Sequence, residues 1–194
     1  MKEDTYHHGD LENELIEAGI RLISEEGIKG FSLRKVATAC SVSHAAPYSH
    51  FKDVDALIRA MGRHVTERFT EKLRAAIQGQ EDSPNAVPLL GRAYISFFIE
   101  NPHYLQFLFY HSGLTIDLDG GGTEDYPPFA LFKEAACRLF DHVGLPEDEQ
   151  LKTLIALWSM VHGISSLLTN KGIRYSGDWV DVLTGNGLFG RHKQ

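Results

Sequence analysis

Residues 32–52 read SLRKVATACSVSHAAPYSHFK, and this segment predicts two short helices joined by a turn. Ser32 is the predicted cap of the first helix and Ser43 that of the second, because serine hydroxyls accept hydrogen bonds from free helix-start amides. Two short helices in this arrangement form a helix-turn-helix candidate. Many small helical proteins contain such a pair, so its meaning depends on charge and flanking sequence.

Charge separates the same region from the rest of the chain. The 194 residues include 19 basic and 26 acidic side chains, a formal net charge of −7. Residues 27–52 hold no acidic side chain and four basic ones: Lys29, Arg34, Lys35 and Lys52. A positive surface inside an acidic protein favours a nucleic-acid contact. An ordinary solvated patch has the same composition and stays an open alternative.

Composition indicates a soluble globular protein. Hydrophobic residues make up 43% and charged residues 23% of the chain, which argues against disordered, collagen-like and disulfide-scaffold classes. Two cysteines, Cys40 and Cys137, suit a reducing compartment, and the polar N-terminus lacks the apolar core of a signal peptide. We therefore expect a cytoplasmic protein with no membrane partner, in which the apolar stretch 153–170 is a buried helix.

Helical periodicity extends along nearly the whole chain and predicts an all-α fold. We expect an N-terminal three-helix domain at residues 1–52 and a helical bundle at 53–194, with 53–78 as the connecting helix. The first helix is predicted from a cap at Asp10 to Gly27, and the connecting helix from a cap at Asp53 to about Gly79. Further helices are predicted at about 87–100, 102–111, 129–143, 146–170 and 178–188.

The second short helix has a surface suited to reading a DNA groove. Small alanines allow close approach to bases, serine and histidine can hydrogen-bond base edges, and phenol, imidazole and ammonium groups suit phosphate oxygens. With two residues from the start of the preceding helix, the candidate DNA contacts are Ser32, Lys35, Ser43, His44, Ala45, Ala46, Tyr48, His50 and Lys52.

Residues 6–58 resemble the N-terminal DNA-binding domain of TetR-type transcriptional regulators. The most specific part is the pattern S-V-S-x-x-x-x-Y-x-H-F-K, from Ser41 to Lys52. The resemblance implies a recognition helix at 43–50, phosphate contacts from Tyr48, His50 and Lys52, and a homodimer that binds double-stranded DNA at a palindromic operator. Such regulators usually have glycine where Ser41 stands, and a left-handed turn there would cost serine about 1 kcal/mol.

The predicted helix at 146–170 has only a narrow strip of polar and small residues. A helix that is apolar around most of its circumference is buried on more than one side, and we expect a second subunit on one of them. Ser159, Gly163 and Ser166 are the candidate dimer interface. The string WSMVHG, residues 158–163, resembles the signature of the WHG-type C-terminal domain of one branch of TetR-type regulators.

The aromatic residues between 94 and 132, together with one face of the 146–170 helix, predict an apolar ligand pocket. Plain protein core is the alternative for each of them, and for His162 a core histidine with a satisfied hydrogen bond is the alternative. The candidate ligand contacts are Phe97, Tyr104, Phe107, Tyr110, His111, Phe132, Trp158 and His162.

Three motifs of other classes are incomplete. The glycines at 185, 187 and 190 have no preceding strand, Glu100-x-x-His103 has no second copy, and Asp117-x-Asp119 lacks the remaining acids of a calcium loop. We therefore predict no catalytic residue, cofactor or metal.

The predicted function is a ligand-responsive repressor that a small apolar or amphipathic molecule releases from its operator. Alternatives are an activator, a ligand-blind regulator, or a helical-bundle carrier or enzyme without DNA binding.

Overall fold

The computed structural model describes residues 8–118, 126–179 and 182, with side chains from residue 11 onward, and within them it contains helices and no strand. The all-α prediction is confirmed. The helices are α1 (His8–Glu26), α2 (Leu33–Ala39), α3 (Val54–Ile77), α4 (Ala86–Glu100), α5 (Pro102–Tyr110), α6 (Pro127–Val143) and α7 (Glu147–Thr169), with one 3₁₀ turn at Ala46–Ser49.

Most predicted helix bounds agree with these to within two residues. Helix α1 begins at His8, two residues before the predicted cap Asp10. Most of the helix predicted at 178–188 lies outside the described residues.

The chain divides into two compact units whose limits do not follow the order of the sequence. Unit 1 contains residues up to Thr66 together with His103–Leu114, and unit 2 contains Glu67–Pro102 and the residues from Thr115 onward. From His103 onward, helix α5 thus belongs with α1, α2 and the 3₁₀ turn, although 52 residues lie between the end of that turn and the start of α5. The boundary predicted after residue 52 remains a prediction.

The core of unit 1 forms where α1 and α3 approach each other closely. A Cβ atom on Gly19 would lie 2.9 Å from the sulfur of Met61, so only glycine allows this separation without a shift of the methionine. The fully buried side chains around this contact are Leu15, Ile20, Ile23, Val36, Leu57, Met61, Val65 and Phe107. This packing holds α2 and the 3₁₀ turn on a rigid support.

The turn after α2 has the left-handed conformation that the sequence predicts at Ser41, a position where glycine is usual. Ser41 has φ +56°, its amide donates to the Thr38 carbonyl at 3.1 Å, and the Val42 amide donates to the Ala37 carbonyl at 3.0 Å. These two bonds form a Schellman motif, in which the left-handed residue is most often glycine. Serine therefore adopts an unfavourable backbone conformation at this turn.

We expect Ser41→Gly to raise the free energy of unfolding by about 1 kcal/mol, since glycine has no Cβ to oppose a positive φ. Urea denaturation followed by circular dichroism would measure the change. Ser41→Ala is the matched control, because it removes the hydroxyl and keeps the Cβ. Equal stability of the two variants would contradict the assignment of strain to this residue.

The recognition helix predicted at 43–50 is not an α-helix. The amides of Ala46 and Tyr48 donate to carbonyls three residues back, at Ser43 and Ala45, with distances of 3.0 and 3.1 Å. Pro47 has no N–H, so it cannot make the i to i−4 bond to Ser43 that an α-helix requires there. The segment is therefore a turn followed by one 3₁₀ turn, Ala46–Ser49.

The predicted caps at Ser32 and Asp53 are confirmed, but the cap predicted at Ser43 is wrong, because the 3₁₀ turn begins after Ala45 and has no side-chain hydrogen bond at its cap. The Ser32 side chain accepts from the Lys35 amide at 3.3 Å, and the Asp53 carboxylate accepts from the Ala56 amide at 2.7 Å. These bonds satisfy amides that have no partner within their own helices.

Unit 2 is built on α4, which packs against α6 and α7. Phe69 from α3 lies at its centre with no exposed surface, and its ring lies 4.9 to 5.0 Å, centroid to centroid, from three rings of α4: Tyr94, Phe97 and Phe98. Aromatic pairs at these distances stabilise a core beyond the area they bury.

Helix α7 is only partly buried within its own chain. The helix is long and apolar enough to cross a membrane by length and composition, and its most apolar window has a mean hydropathy of 1.4. Only 28% of that window is buried within the chain. Leu154, Leu157 and Trp158 face the core, whereas Leu151 and Leu167 are 39% and 52% exposed. One chain therefore buries one face of α7 and leaves part of its remaining apolar surface exposed.

Candidate nucleic-acid interface and aromatic cluster

An exposed surface of unit 1 is formed by the turn and the 3₁₀ turn after α2. Ser43, His44 and Ala45 are exposed, as is Lys52, and the Tyr48 side chain is 56% exposed. Ala46 is half-buried beneath them. These predicted DNA contacts are thus brought to one short exposed segment that carries no acidic residue. The segment can offer hydroxyl, imidazole, phenol and ammonium groups to a nucleic acid.

His50 lies elsewhere than predicted. Its side chain is only 11% exposed, and its Nδ1 atom is 3.6 Å from a carboxylate oxygen of Glu12 on α1. Its Nε2 atom is buried and has no hydrogen-bonding partner among the described residues. The structure therefore corrects the phosphate contact predicted for His50, because the ring packs within unit 1 and neither nitrogen reaches solvent freely.

Ser32 and Lys35 have local roles at the start of α2. The Ser32 hydroxyl is occupied as the helix cap, and the Lys35 ammonium lies 2.9 Å from Glu26, with both side chains about half exposed. An ion pair this exposed contributes little stability, so Lys35 can exchange its partner at little cost.

Two residues of α2 that the sequence analysis did not select face this surface. Arg34 and Thr38 are both exposed. The Thr38 hydroxyl donates to the Arg34 carbonyl at 3.0 Å and lies 3.4 Å from Nε2 of His44. In a helix-turn-helix the end of the first helix lies beside the start of the second segment, and this geometry is the signal that would have selected Thr38.

Three predicted ligand contacts lie on helix α5 and a fourth, His111, directly follows it, all of them within unit 1. Tyr104 and Phe107 are buried, His111 is half-buried and Tyr110 is 64% exposed. The Tyr104 hydroxyl donates to the Glu17 carboxylate of α1.

The same Glu17 oxygen lies 2.8 Å from Nε2 of His64 on α3. Tyr104 therefore links α5 to α1 and α3 rather than presenting a free hydroxyl.

The other four predicted ligand contacts lie in unit 2 and are Phe97, Phe132, Trp158 and His162. The first three of these pack against other aromatic rings. Trp158 packs with centroid distances of 5.1 to 5.5 Å against Phe129, Phe132 and Tyr94. Phe97 stacks on Phe69 instead. These rings are buried within the chain, and the ligand contacts predicted for them stay predictions.

His162 is the polar member at the edge of the Trp158 cluster. Its Nδ1 atom lies 2.9 Å from the hydroxyl of Tyr94, a residue that the sequence analysis did not select. Burial lowers the pKa of His162 and raises the pKa of Tyr94 well above its usual value. Both groups are therefore neutral at physiological pH, and they form a hydrogen bond between uncharged partners inside an aromatic environment.

The three predicted dimer residues lie on the less buried side of α7. Ser159 is exposed, and Gly163 and Ser166 are half-buried. A Cβ atom on Gly163 would have nothing within 4 Å. The face is thus open enough within one chain for another helix to approach closely.

Two families match the chain, one for each part of it. The family described as bacterial regulatory proteins, tetR family, matches residues 15–61. The family described as tetracyclin repressor-like, C-terminal domain, matches residues 87–184. The first match includes the helix-turn-helix, and the second includes the Trp158 cluster and most of α4 to α7.

Individual proteins are similar to parts of the chain in sequence or to nearly all of it in fold. The nicotine-responsive HTH-type transcriptional repressor of Paenarthrobacter nicotinovorans is 30% identical over 73 residues, which span 38% of this chain and 38% of that protein. A solved structure of a protein of unknown function from Rhodococcus sp. RHA1 is 23% identical with a TM-score of 0.74, covering 96% of this chain and 97% of that one.

A third relative shows the same fold at lower identity. The structure of AibR in complex with isovaleryl coenzyme A and operator DNA is 18% identical with a TM-score of 0.66, covering 92% of this chain and 95% of that one. The two family matches, the helical fold and the exposed helix-turn-helix surface agree, and the chain belongs to the TetR family of bacterial regulatory proteins.

Proposed function

We propose that this protein is a cytoplasmic, ligand-responsive transcriptional repressor that binds a palindromic operator as a homodimer. The observation that carries the proposal is the exposed, acid-free segment from Ser43 to Lys52 in a chain of the TetR family. A nicotine-responsive repressor among its relatives and a structural neighbour bound to both an acyl-coenzyme A and operator DNA support the same class of function. The proposal assigns no catalytic residue, metal or cofactor.

The proposed DNA contacts are assigned according to which side chains are exposed to solvent. Ser43, His44 and Ala45 reach base edges in the major groove, while Tyr48 and Lys52 hold phosphates. Lys35 and Ser32 support the start of α2 beside the backbone of the DNA. His50 is omitted from the contacts because its ring is packed against α1.

The experiment that tests the proposal is selection of bound sequences from random duplex DNA by the full chain. Enrichment of a near-palindrome with two equivalent half-sites, about one helical turn apart, would support both DNA recognition and the dimer. Failure to enrich any sequence would contradict the proposal and favour a helical-bundle carrier that lacks DNA binding.

Replacing Lys52 with alanine is expected to lower affinity about equally on all sequences and to reduce the salt slope of binding by about one, because one phosphate contact releases about one counterion. Fluorescence anisotropy over a range of salt concentrations would measure both quantities. Lys171→Ala is the matched control, since this lysine is also exposed but lies in unit 2. An unchanged slope for Lys52→Ala would remove Lys52 from the phosphate contacts.

The proposed ligand is a small apolar or amphipathic molecule that binds beside His162 and Tyr94. A neutral imidazole and a neutral phenol can each donate or accept one hydrogen bond to an uncharged ligand group, and the surrounding rings supply apolar contacts. Binding would favour a conformation in which the connecting helix, residues 53–78, shifts the Ser43–Lys52 segment of each subunit. The separation between the two segments would then no longer match the spacing of the operator half-sites. Operator affinity would then fall by at most the factor by which the ligand prefers this conformation over the DNA-binding one.

A further inference from the structure

The contact between Thr38 and His44 determines which ring nitrogen of His44 is left to contact DNA. His44 belongs to the exposed segment from Ser43 to Lys52. The Thr38 Oγ1 atom lies 3.0 Å from the Arg34 carbonyl oxygen and donates to it. A hydroxyl has one hydrogen, and here that hydrogen is used within α2. The lone pairs of the same oxygen remain available to accept.

His44 supplies the donor to that oxygen. Its Nε2 atom lies 3.4 Å from Thr38 Oγ1. Because the hydroxyl hydrogen is already used, Nε2 must carry the hydrogen of this contact. A neutral imidazole has one N–H, so Nδ1 is then an acceptor.

The second ring nitrogen is free to meet a ligand. His44 is exposed, and Nδ1 has no hydrogen-bonding partner within residues 8–118 and 126–179. The ring is also held at one end, since Thr38 lies on the last turn of α2 and His44 lies two residues before the 3₁₀ turn. A ring flip would place the Cε1 carbon against the oxygen in place of Nε2 and would lose this hydrogen bond.

We propose that Thr38 is a positioning residue that makes His44 read the exocyclic amine of an adenine or a cytosine in the major groove. This inference rests on the proposed function, since it assumes that the Ser43 to Lys52 segment enters a groove. Adenine N6 and cytosine N4 are donors in the major groove, whereas guanine and thymine present O6, N7 or O4 acceptors. An acceptor nitrogen on His44 pairs with the amines and is repelled by the keto bases.

The test begins with sequences selected from random duplexes by the wild-type chain and by His44→Ala. The half-site position whose preference disappears in His44→Ala is the position that His44 reads. There the wild type is expected to prefer adenine or cytosine on one strand by about fivefold, the value of one hydrogen bond. A preference for guanine or thymine, or no position that responds to His44→Ala, would overturn the inference.

Two variants of Thr38 then separate positioning from simple packing. Thr38→Ser keeps the hydroxyl and is expected to keep the fivefold preference. Thr38→Val has nearly the shape of threonine without the oxygen, so the ring can turn its N–H outward, and the preference is expected to fall below about twofold. Unchanged preference in Thr38→Val would overturn the positioning role. Thermal unfolding of both variants checks that each folds as the wild type does.

A base analogue gives a readout that depends on the amine alone. In the selected operator, the base read by His44 is replaced by the same base with hydrogen in place of its amine. The wild type is expected to lose about fivefold in affinity and His44→Ala to lose nothing. Equal losses in both proteins would overturn the inference. If the wild type enriches no palindrome at all, the proposed function itself fails, which is a different outcome from a palindrome without the amine preference.

Discussion

Replacing Gly163 with leucine is expected to disrupt the homodimer and to lower operator affinity by about five- to 150-fold. Overpacking a close helix contact costs about 1–3 kcal/mol, and this cost is paid on dimer formation, on which simultaneous occupation of both half-sites depends. Sedimentation velocity would report the oligomeric state, and anisotropy on the selected operator would report the affinity.

The structure makes this substitution a clean test of the interface. A Cβ at residue 163 meets nothing within 4 Å, so the first carbon of the new side chain has room within its own chain. Leucine also favours the helix by about 0.8–1 kcal/mol over glycine, so the fold of the subunit should not weaken.

Ala75→Leu serves as the control, since it places the same side chain on an exposed residue of α3. A dimer of wild-type strength in Gly163→Leu would move the interface away from this face of α7.

His162→Phe is expected to weaken the response to ligand by about 1–3 kcal/mol while operator affinity stays near that of the wild type. Phenylalanine keeps an aromatic ring of similar bulk but removes both nitrogens, so a buried polar group of the ligand loses its partner. The measurement is release from the selected operator by small apolar or amphipathic molecules, with Trp158 fluorescence as a report of binding close by.

Tyr94→Phe is the matched control for the internal hydrogen bond. It removes the phenol that lies 2.9 Å from His162 and keeps the imidazole. If both variants lose stability while the ligand response remains complete, His162 is a core histidine and has no role in sensing.

The pH dependence of stability gives an independent check on the burial of His162. Its pKa is lowered in the folded state, so the unfolded chain binds the proton more tightly. The wild type therefore loses stability as pH falls below about 6.5, the ordinary pKa of histidine, and His162→Phe is expected to lose less over the same range. Equal losses would indicate that the imidazole is not desolvated in solution.

The features that were predictable from the sequence are those that depend on neighbours within a few residues. Ser32 and Asp53 cap their helices because a hydroxyl or a carboxylate accepts from amides close by in the chain. The left-handed turn at Ser41 was predictable from the glycine that TetR-type regulators usually have at this position. The short-range pattern of apolar residues likewise predicts the all-α fold, and the pattern from Ser41 to Lys52 predicts the family.

The prediction at Pro47 shows where local reasoning was incomplete. The absence of an N–H is visible in the sequence, but its position relative to Ser43 decides whether the segment can continue as an α-helix. Pro47 follows Ser43 by four residues in the chain, where an α-helix that begins at Ser43 needs an amide hydrogen. The result is a single 3₁₀ turn.

What only the tertiary structure decided is which side chains are used within the protein and which remain free for partners. His50 is adjacent to exposed residues in sequence, yet Glu12 of α1 takes one side of its ring, and Tyr104 donates to Glu17, 87 residues earlier. Tyr94 and His162 are 68 residues apart and lie within hydrogen-bonding distance. Such contacts depend on how helices pack, and helical periodicity describes the face that a residue occupies without describing what covers it.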